Sequence, residues 1–248
     1  MHGHDLHSER NFYGIVRVTE AAGPIHKLHL GATEQGNELI PEHRPLVNNF
    51  PEMGSRDFRA KTRVGVIGLG AGVLAWYAQP HQDWTYYEIN PIVDRIARNR
   101  DFFTYLHECR ARRLEVVLGD GRMRIQEALP YHYDLIVLDA FAGANIPVHL
   151  LTKQAFDLYL SRLARDGMVA VNIASAYLDL KPVLAGLARH AGLACRFRSD
   201  EHSAWVVLAR REEDLGELVN DPRWQLLPEA MNNPVWTDDF TNIFGILK

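Results

Sequence analysis

RVGVIGLGAGVLAWYAQPHQDWTYYEIN, residues 63–90, decides how the rest of the chain reads. Val64 to Ile67 is a short apolar run of the kind that forms a buried parallel strand. A glycine turn follows at Gly68, Gly70 and Gly72. The apolar segment from Val73 to Ala78 is predicted to be a helix, stopped near Pro80. Trp84 to Ile89 is predicted to be a second strand, with Glu88 near its end, 20 positions after Gly68. Strand, glycine turn, helix, strand and terminal acid together form the pattern of a nucleoside-binding α/β unit. The glycines are expected to let the backbone approach a ligand, and the acid to accept hydrogen bonds from ribose hydroxyls. A glycine turn after a strand is also a common tight connection, and NAD, FAD and S-adenosylmethionine sites all use it.

Outward from this stretch, strand and helix alternate. Asn90-Pro91 opens a helix over 92–100, and a second short helix is predicted over 102–107. Strands are predicted at 114–118, before Gly119-Asp120-Gly121, and at 134–138, before Asp139. Helices over 123–129 and 152–164 follow these strands, the second capped by Thr152. Asp166-Gly167 is read as a turn before a fifth strand, 168–173, and a helix over 179–190 closes at Gly192. The last two strands, 194–198 and 204–209, are separated by too few residues for a parallel crossover, so they must be antiparallel. The implied fold is α/β and class I methyltransferase-like (Rossmann-like): a mostly parallel seven-stranded sheet ending in an antiparallel hairpin. An NAD-binding Rossmann domain would continue with parallel strands.

Residues 11–60 read as a small N-terminal β domain of two or three strands, with an irregular stretch over 51–61 at the boundary. Residues 1–10 read as a disordered tail, and 61–248 as the ligand-binding α/β domain. A net charge of −4 argues against a chain-wide nucleic-acid surface. Two distant cysteines, Cys109 and Cys195, give neither a disulfide framework nor zinc spacing, and no metal is expected. No membrane-length apolar run or signal peptide is present, so a cytoplasmic protein is expected.

In an open parallel sheet the ligand lies outside the carboxyl ends of the strands. Glu88, Asp120 and Asp139 all fall on that edge. One nucleoside explains all three: Glu88 on the ribose, Asp120 on the adenine amino group, Asp139 at the reacting centre.

GLGAG, YYEINP, LGDGR, YDLIVLDAF and IPVHLLT resemble the spermidine synthases and their bacterial relatives. The N-terminal RNFYGIVRV and LHLGATEQG resemble that family's small β domain. PVWTDDFTN is similar to the end of spermidine-synthase-like domains elsewhere fused to membrane segments. The resemblance implies an S-adenosylmethionine-derived substrate, a small-molecule acceptor and a homodimer. It implies a catalytic role for Asp139 and ligand binding by Gly121 and Gln35, with Arg44 near a second ligand-binding position. Two family acids are missing. Ala71 replaces the aspartate that holds the amine of decarboxylated S-adenosylmethionine, and Ala142 replaces one that holds the polyamine.

A dicationic polyamine held away from water calls for carboxylates, and an arginine suits a carboxylate. The expectation is therefore that intact S-adenosylmethionine is bound. Asp139 is the expected base for an attacking amine. Phe141, Tyr177 and Trp76 are candidate aromatic faces for the sulfonium, each also readable as a core or lid residue. Asn145 and His149 are candidates to orient the substrate, although His149 reads first as a packed loop residue. Four outcomes stay open: aminocarboxypropyl transfer or intramolecular ring closure to azetidine-2-carboxylate at the γ-carbon with release of methylthioadenosine, polyamine aminopropyl transfer, small-molecule methylation, and a nucleoside-binding protein without catalysis.

Overall fold

The computed structural model describes residues 4–46, 50, 53, 55–140, 147–175, 177–201, 203–227 and 235–248. The larger sheet has seven strands: β5 (Arg63–Ile67), β6 (Asp83–Glu88), β7 (Arg113–Leu118), β8 (Tyr133–Leu138), β9 (Leu163–Asn172), β10 (Ala194–Ser199) and β11 (Ala204–Ala209). Their order is β10-β11-β9-β8-β5-β6-β7. β5, β6, β7, β8 and β9 run parallel, and β11 pairs antiparallel with both β9 and β10. This is the expected sheet, down to the antiparallel hairpin at one edge. β8 lies at the centre because DLIVL is apolar on both faces, and Leu135 through Leu138 are all sealed from solvent.

Four strands make a separate antiparallel sheet: β1 (His4–Asn11), β2 (Gly14–Ala21), β3 (Ile25–Leu30) and β4 (Thr33–Leu39). β1 corrects the tail reading for residues 4–10; residues 1–3 lie outside the described residues. HDLHSERN has no apolar run, so its sequence carries no strand signal; the strand is held by its ladder to β2. Charged residues on such an edge also discourage pairing with other chains.

The N-terminal sheet docks on the larger one through polar contacts. The Ala71 amide donates to the Gln35 carbonyl (3.2 Å), and Asn11 Nδ2 donates to Asn90 Oδ1 (2.7 Å). Glu38, fully buried on β4, accepts from the amide (2.8 Å) and hydroxyl (2.6 Å) of Thr104. That capture accounts for a second correction. Residues 102–107 form turns rather than a helix, because the Thr104 amide is held by a side chain instead of a preceding carbonyl.

Of the five α-helices, the four that were expected are shorter than predicted. The five are α1 (Arg56–Ala60), α2 (Pro91–Ala97), α3 (Gly121–Ile125), α4 (Lys153–Arg162) and α5 (Lys181–Ala191). α1 falls inside the stretch read as irregular. Asn90, Asp120 and Thr152 cap α2, α3 and α4 through their side chains. The helix expected after the glycine turn is a 3-10 turn, Val73–Tyr77. β9 begins five residues before its predicted start, and its register against β8 jumps from Tyr133↔Leu163 to Leu135↔Met168. Asp166-Gly167 lies within that irregularity.

Candidate active site

A cavity of about 540 Å3 opens at the carboxyl ends of β5, β6, β7 and β8. Glu88, Asp120 and Asp139 all line it, together with Gly68, Gly70, Gly121 and Gln35. The three acids meet because β5 lies between β6 and β8, with β7 beyond β6. Backbone bonds continue past the strand ends: Gly68 donates to the Tyr87 carbonyl, Gly119 to Glu88, and Asp139 to Ile67. The rim is therefore fixed by main chain, which suits precise placement of a ligand.

Glu88 is only 7% exposed. Its two carboxylate oxygens accept from the amides of Leu69 (2.9 Å) and Asn90 (2.8 Å). Burial pushes its pKa up, and those amide donors pull it back. Each oxygen keeps a further lone pair for a ligand hydroxyl. Asp120 Oδ1 caps α3 at the Met123 amide (3.0 Å), while Oδ2 lies 2.9 Å from His149 Nε2. His149 is about half exposed and lines the cavity, so it is a rim residue rather than a packed loop residue.

Asp139 Oδ1 accepts from Asn172 Nδ2 on β9 (2.7 Å). Desolvation pushes its carboxyl up to about 6, and the Asn172 bond offsets part of that rise. A carboxylate tuned toward neutrality and held at one oxygen by an amide is suited to accept a proton at its other oxygen.

Two buried donors on the cavity wall, Gln35 Nε2 and Asn90 Nδ2, have no hydrogen-bond partner among the described residues. An orphaned buried donor costs about 1–3 kcal/mol, and a ligand acceptor would relieve it. The sequence named Gln35 through the family resemblance. It gave Asn90 only as part of a helix start. Tyr13, Leu30, Leu178 and Ile243 also line the cavity and were not anticipated. They come from distant segments and carry no chemical signal of their own.

The glycine turn also serves the packing of the fold. Gly68, Gly70 and Gly72 have φ of +99°, +55° and +84°. A Cβ at Gly68 would collide with the Asp139 carbonyl, and one at Gly70 with the Gln35 carbonyl. The first two glycines thus let β8 and β4 approach the turn, and the ligand meets the edge they create. Gly72 packs against Leu106 and does not line the cavity. Ala71 is fully buried, its Cβ only 2.8 Å from where a Cβ on Gly36 would stand. β4 closes the wall there.

Other expected site residues lie elsewhere. Arg44 pairs with Glu42 and is exposed, away from the cavity. Its loop turns back to β4 through the Leu39–Arg44 bridge, which directs the guanidinium outward. Tyr177 is 61% exposed and Trp76 is also largely open; neither lines the cavity. Phe141, Ala142 and Asn145 lie outside the described residues. No group of metal-ligating side chains occurs among the described residues. None of the described helices is long and apolar enough to cross a membrane.

A probable spermidine synthase from Corynebacterium glutamicum superposes with a TM-score of 0.74 at 16% identity, covering 95% of this chain and 97% of that one. The fold is spermidine synthase-like. Spermidine synthase from Thermotoga maritima gives a TM-score of 0.60 at 13% identity, covering 95% of this chain and 82% of its own. A spermidine synthase in complex with the transition state analogue AdoDATO gives 0.59 at 14% identity, with the same coverage. At those identities the likeness establishes the fold. In sequence, the chain is 34% identical to a polyamine aminopropyltransferase of Vibrio vulnificus over 117 residues, 44% of this chain and 37% of the relative. It is 32% identical to an N-terminal histidine N-methyltransferase of Emericella nidulans over 114 residues, 44% of this chain and 19% of the relative. The match thus spans well under two thirds of either relative's length. No protein-family model matches the chain.

Proposed function

We propose that this chain is a transferase that binds S-adenosylmethionine in the rim cavity. It directs a nucleophile to the γ-carbon of the sulfonium and releases methylthioadenosine. The observation that carries the reading is Asp139: a desolvated carboxylate with a pKa near 6, at the meeting point of the parallel strands. Glu88 accepts from the ribose hydroxyls and Asp120 from the adenine amino group. The negative rim favours a cationic sulfonium over its neutral product. An amine with a pKa near ~10 needs about 4 kcal/mol to be presented neutral at pH 7, and a base within reach removes its proton as the bond forms.

Intact rather than decarboxylated substrate is supported at two positions. Ala71, where the family resemblance places an acid for the tail amine, is sealed beneath Gly36. Beside it, Gln35 Nε2 is an unpartnered donor of the kind a tail carboxylate would accept from. With Arg44 turned away, Gln35 takes over the role first considered for that arginine.

The second reading is methyl transfer through the same cavity, supported by the likeness to a histidine N-methyltransferase. Mass spectrometry of products separates the readings. The protein is incubated with S-adenosylmethionine alone, with S-adenosylmethionine plus amines, and with decarboxylated S-adenosylmethionine plus putrescine. Methylthioadenosine released faster from the intact donor is expected. Adenosylhomocysteine as product would establish methyl transfer instead. Preference for the decarboxylated donor would return the chain to polyamine synthesis, and bound but unaltered donor would mark a binding protein.

A further inference from the structure

Asn90 stands just past the end of β6, and the proposed chemistry leaves its side chain unused. It is 1% exposed and lines the cavity beside Glu88, whose Oε1 accepts from the Asn90 backbone amide (2.8 Å). Its Oδ1 accepts from the Ile92 amide (3.0 Å) and from Asn11 Nδ2 (2.7 Å). Its Nδ2 is a buried donor with no partner among the described residues. Main chain sets which branch is which. The N–H of Ile92 can be met only by an oxygen, so Oδ1 faces α2 and Nδ2 takes the other branch.

Asn11 is fixed in the same way. Its Oδ1 accepts from the Tyr13 amide (3.0 Å), which leaves its Nδ2 for Asn90. Asn11 ends β1, and Tyr13, in the turn to β2, lines the cavity as well. Two side-chain amides thus run in series from the first hairpin of the N-terminal sheet to the cavity wall, and the last donor of the series is open. Glu88 offers acceptors and Asn90 a donor from neighbouring positions on that wall. A hydroxyl satisfies both, because it gives one proton and keeps two lone pairs. A sugar without that hydroxyl would leave Nδ2 buried and unpaired in the complex, which is unfavourable.

We infer that Asn90 reads the sugar of the bound nucleoside: its Nδ2 donates to the oxygen of a ribose hydroxyl whose proton goes to Glu88, and Asn11 is the positioning residue that holds the Asn90 amide for it. The inference rests on the reading that the nucleoside sits on Glu88. It brings the small N-terminal sheet into nucleoside recognition and makes the site selective for ribonucleosides over deoxynucleosides.

Calorimetry with 5′-methylthioadenosine and its 2′-deoxy and 3′-deoxy analogues tests this on the wild type, Asn90→Ser and Asn11→Ala. Serine keeps a cap oxygen for Ile92 and removes the second branch. Asn90→Ser should bind methylthioadenosine about tenfold more weakly, roughly 1.4 kcal/mol. Against the analogue that lacks the hydroxyl Asn90 reads, the same substitution should cost less than about twofold, because the partner of Nδ2 is already gone. Asn11→Ala should repeat the pattern at about threefold. Losses equal for all three ligands, or no loss, would overturn the inference and leave the nucleoside reading intact. An Asn11→Ala protein that binds like the wild type would overturn the part given to Asn11. Wild-type binding that ignores both hydroxyls would overturn the placement on Glu88, and the inference with it. Should Asn90→Ser fail to fold, Asn11→Ala, on an edge strand, decides by the same pattern.

Discussion

The two halves of the cavity are built on different terms. The half proposed to hold the nucleoside is made of strand ends and turn backbone: Glu88 is clamped by two amides, Asp120 caps a helix, and Gly68 and Gly70 are pinned by neighbouring carbonyls. The other half is lined by side chains from late segments, Leu178 and Ile243. The first half is held to the sheet by main-chain hydrogen bonds. In the second, one side chain can be exchanged without touching that frame.

The sharpest way to separate the halves is at their junction. Asp139→Asn should lower turnover by about 10²–10⁴-fold, the range for loss of a general base, while leaving methylthioadenosine binding nearly unchanged. The wild-type rate should rise with pH through about 6 and then level, because only the ionised carboxylate accepts a proton. Stability should respond in the opposite sense. The raised pKa means the folded state keeps a proton that the unfolded chain releases between about pH 4 and pH 6. Wild-type stability therefore falls across that window. Asp139→Asn, which escapes this loss, should be more stable above it, by up to about 3 kcal/mol. Denaturant melts at pH 4 and pH 8 check the sign.

Within the nucleoside half, Glu88→Gln should weaken methylthioadenosine binding by about 30–100-fold in calorimetry. The amide gives up charge and turns one donor toward an amide already donating. Gly70→Ala tests the backbone term alone. Its Cβ would press on the Gln35 carbonyl and its φ is left-handed, so a loss of about 2–3 kcal/mol in urea melts is expected. Asp238→Asn should do least. Arg122 and Thr152 hold that carboxyl down to about 2, so its anchoring is lost only as pH falls below about 4. On this exposed residue the change should have little effect on methylthioadenosine affinity in calorimetry.

The same contrast explains what could be read in the sequence. The nucleoside half was legible because continuous apolar runs mark buried strands, and the acids follow those runs directly. The antiparallel end of the sheet followed from the short distance between its last two strands. The other half was not legible. Ile243 has no pattern that points to Leu178, and the two reach the same cavity only because the segment carrying Ile243 pairs with the chain at Leu178 through Leu247. Arg44 matched a family position loosely, and its loop carries it outward to Glu42. β1 was missed because a polar edge strand leaves no hydrophobic period. The glycines were found, but sequence spacing cannot show that the crowding atoms at Gly68 and Gly70 belong to Asp139 and Gln35.

A crystal structure with 5′-methylthioadenosine bound tests the central claim most directly. The ribose hydroxyls should lie roughly 3 Å from Glu88, the adenine amino group within reach of Asp120, and the sulfur should face Asp139. Nucleoside bound elsewhere, or seated in the cavity without contact to Glu88 and Asp120, would contradict it.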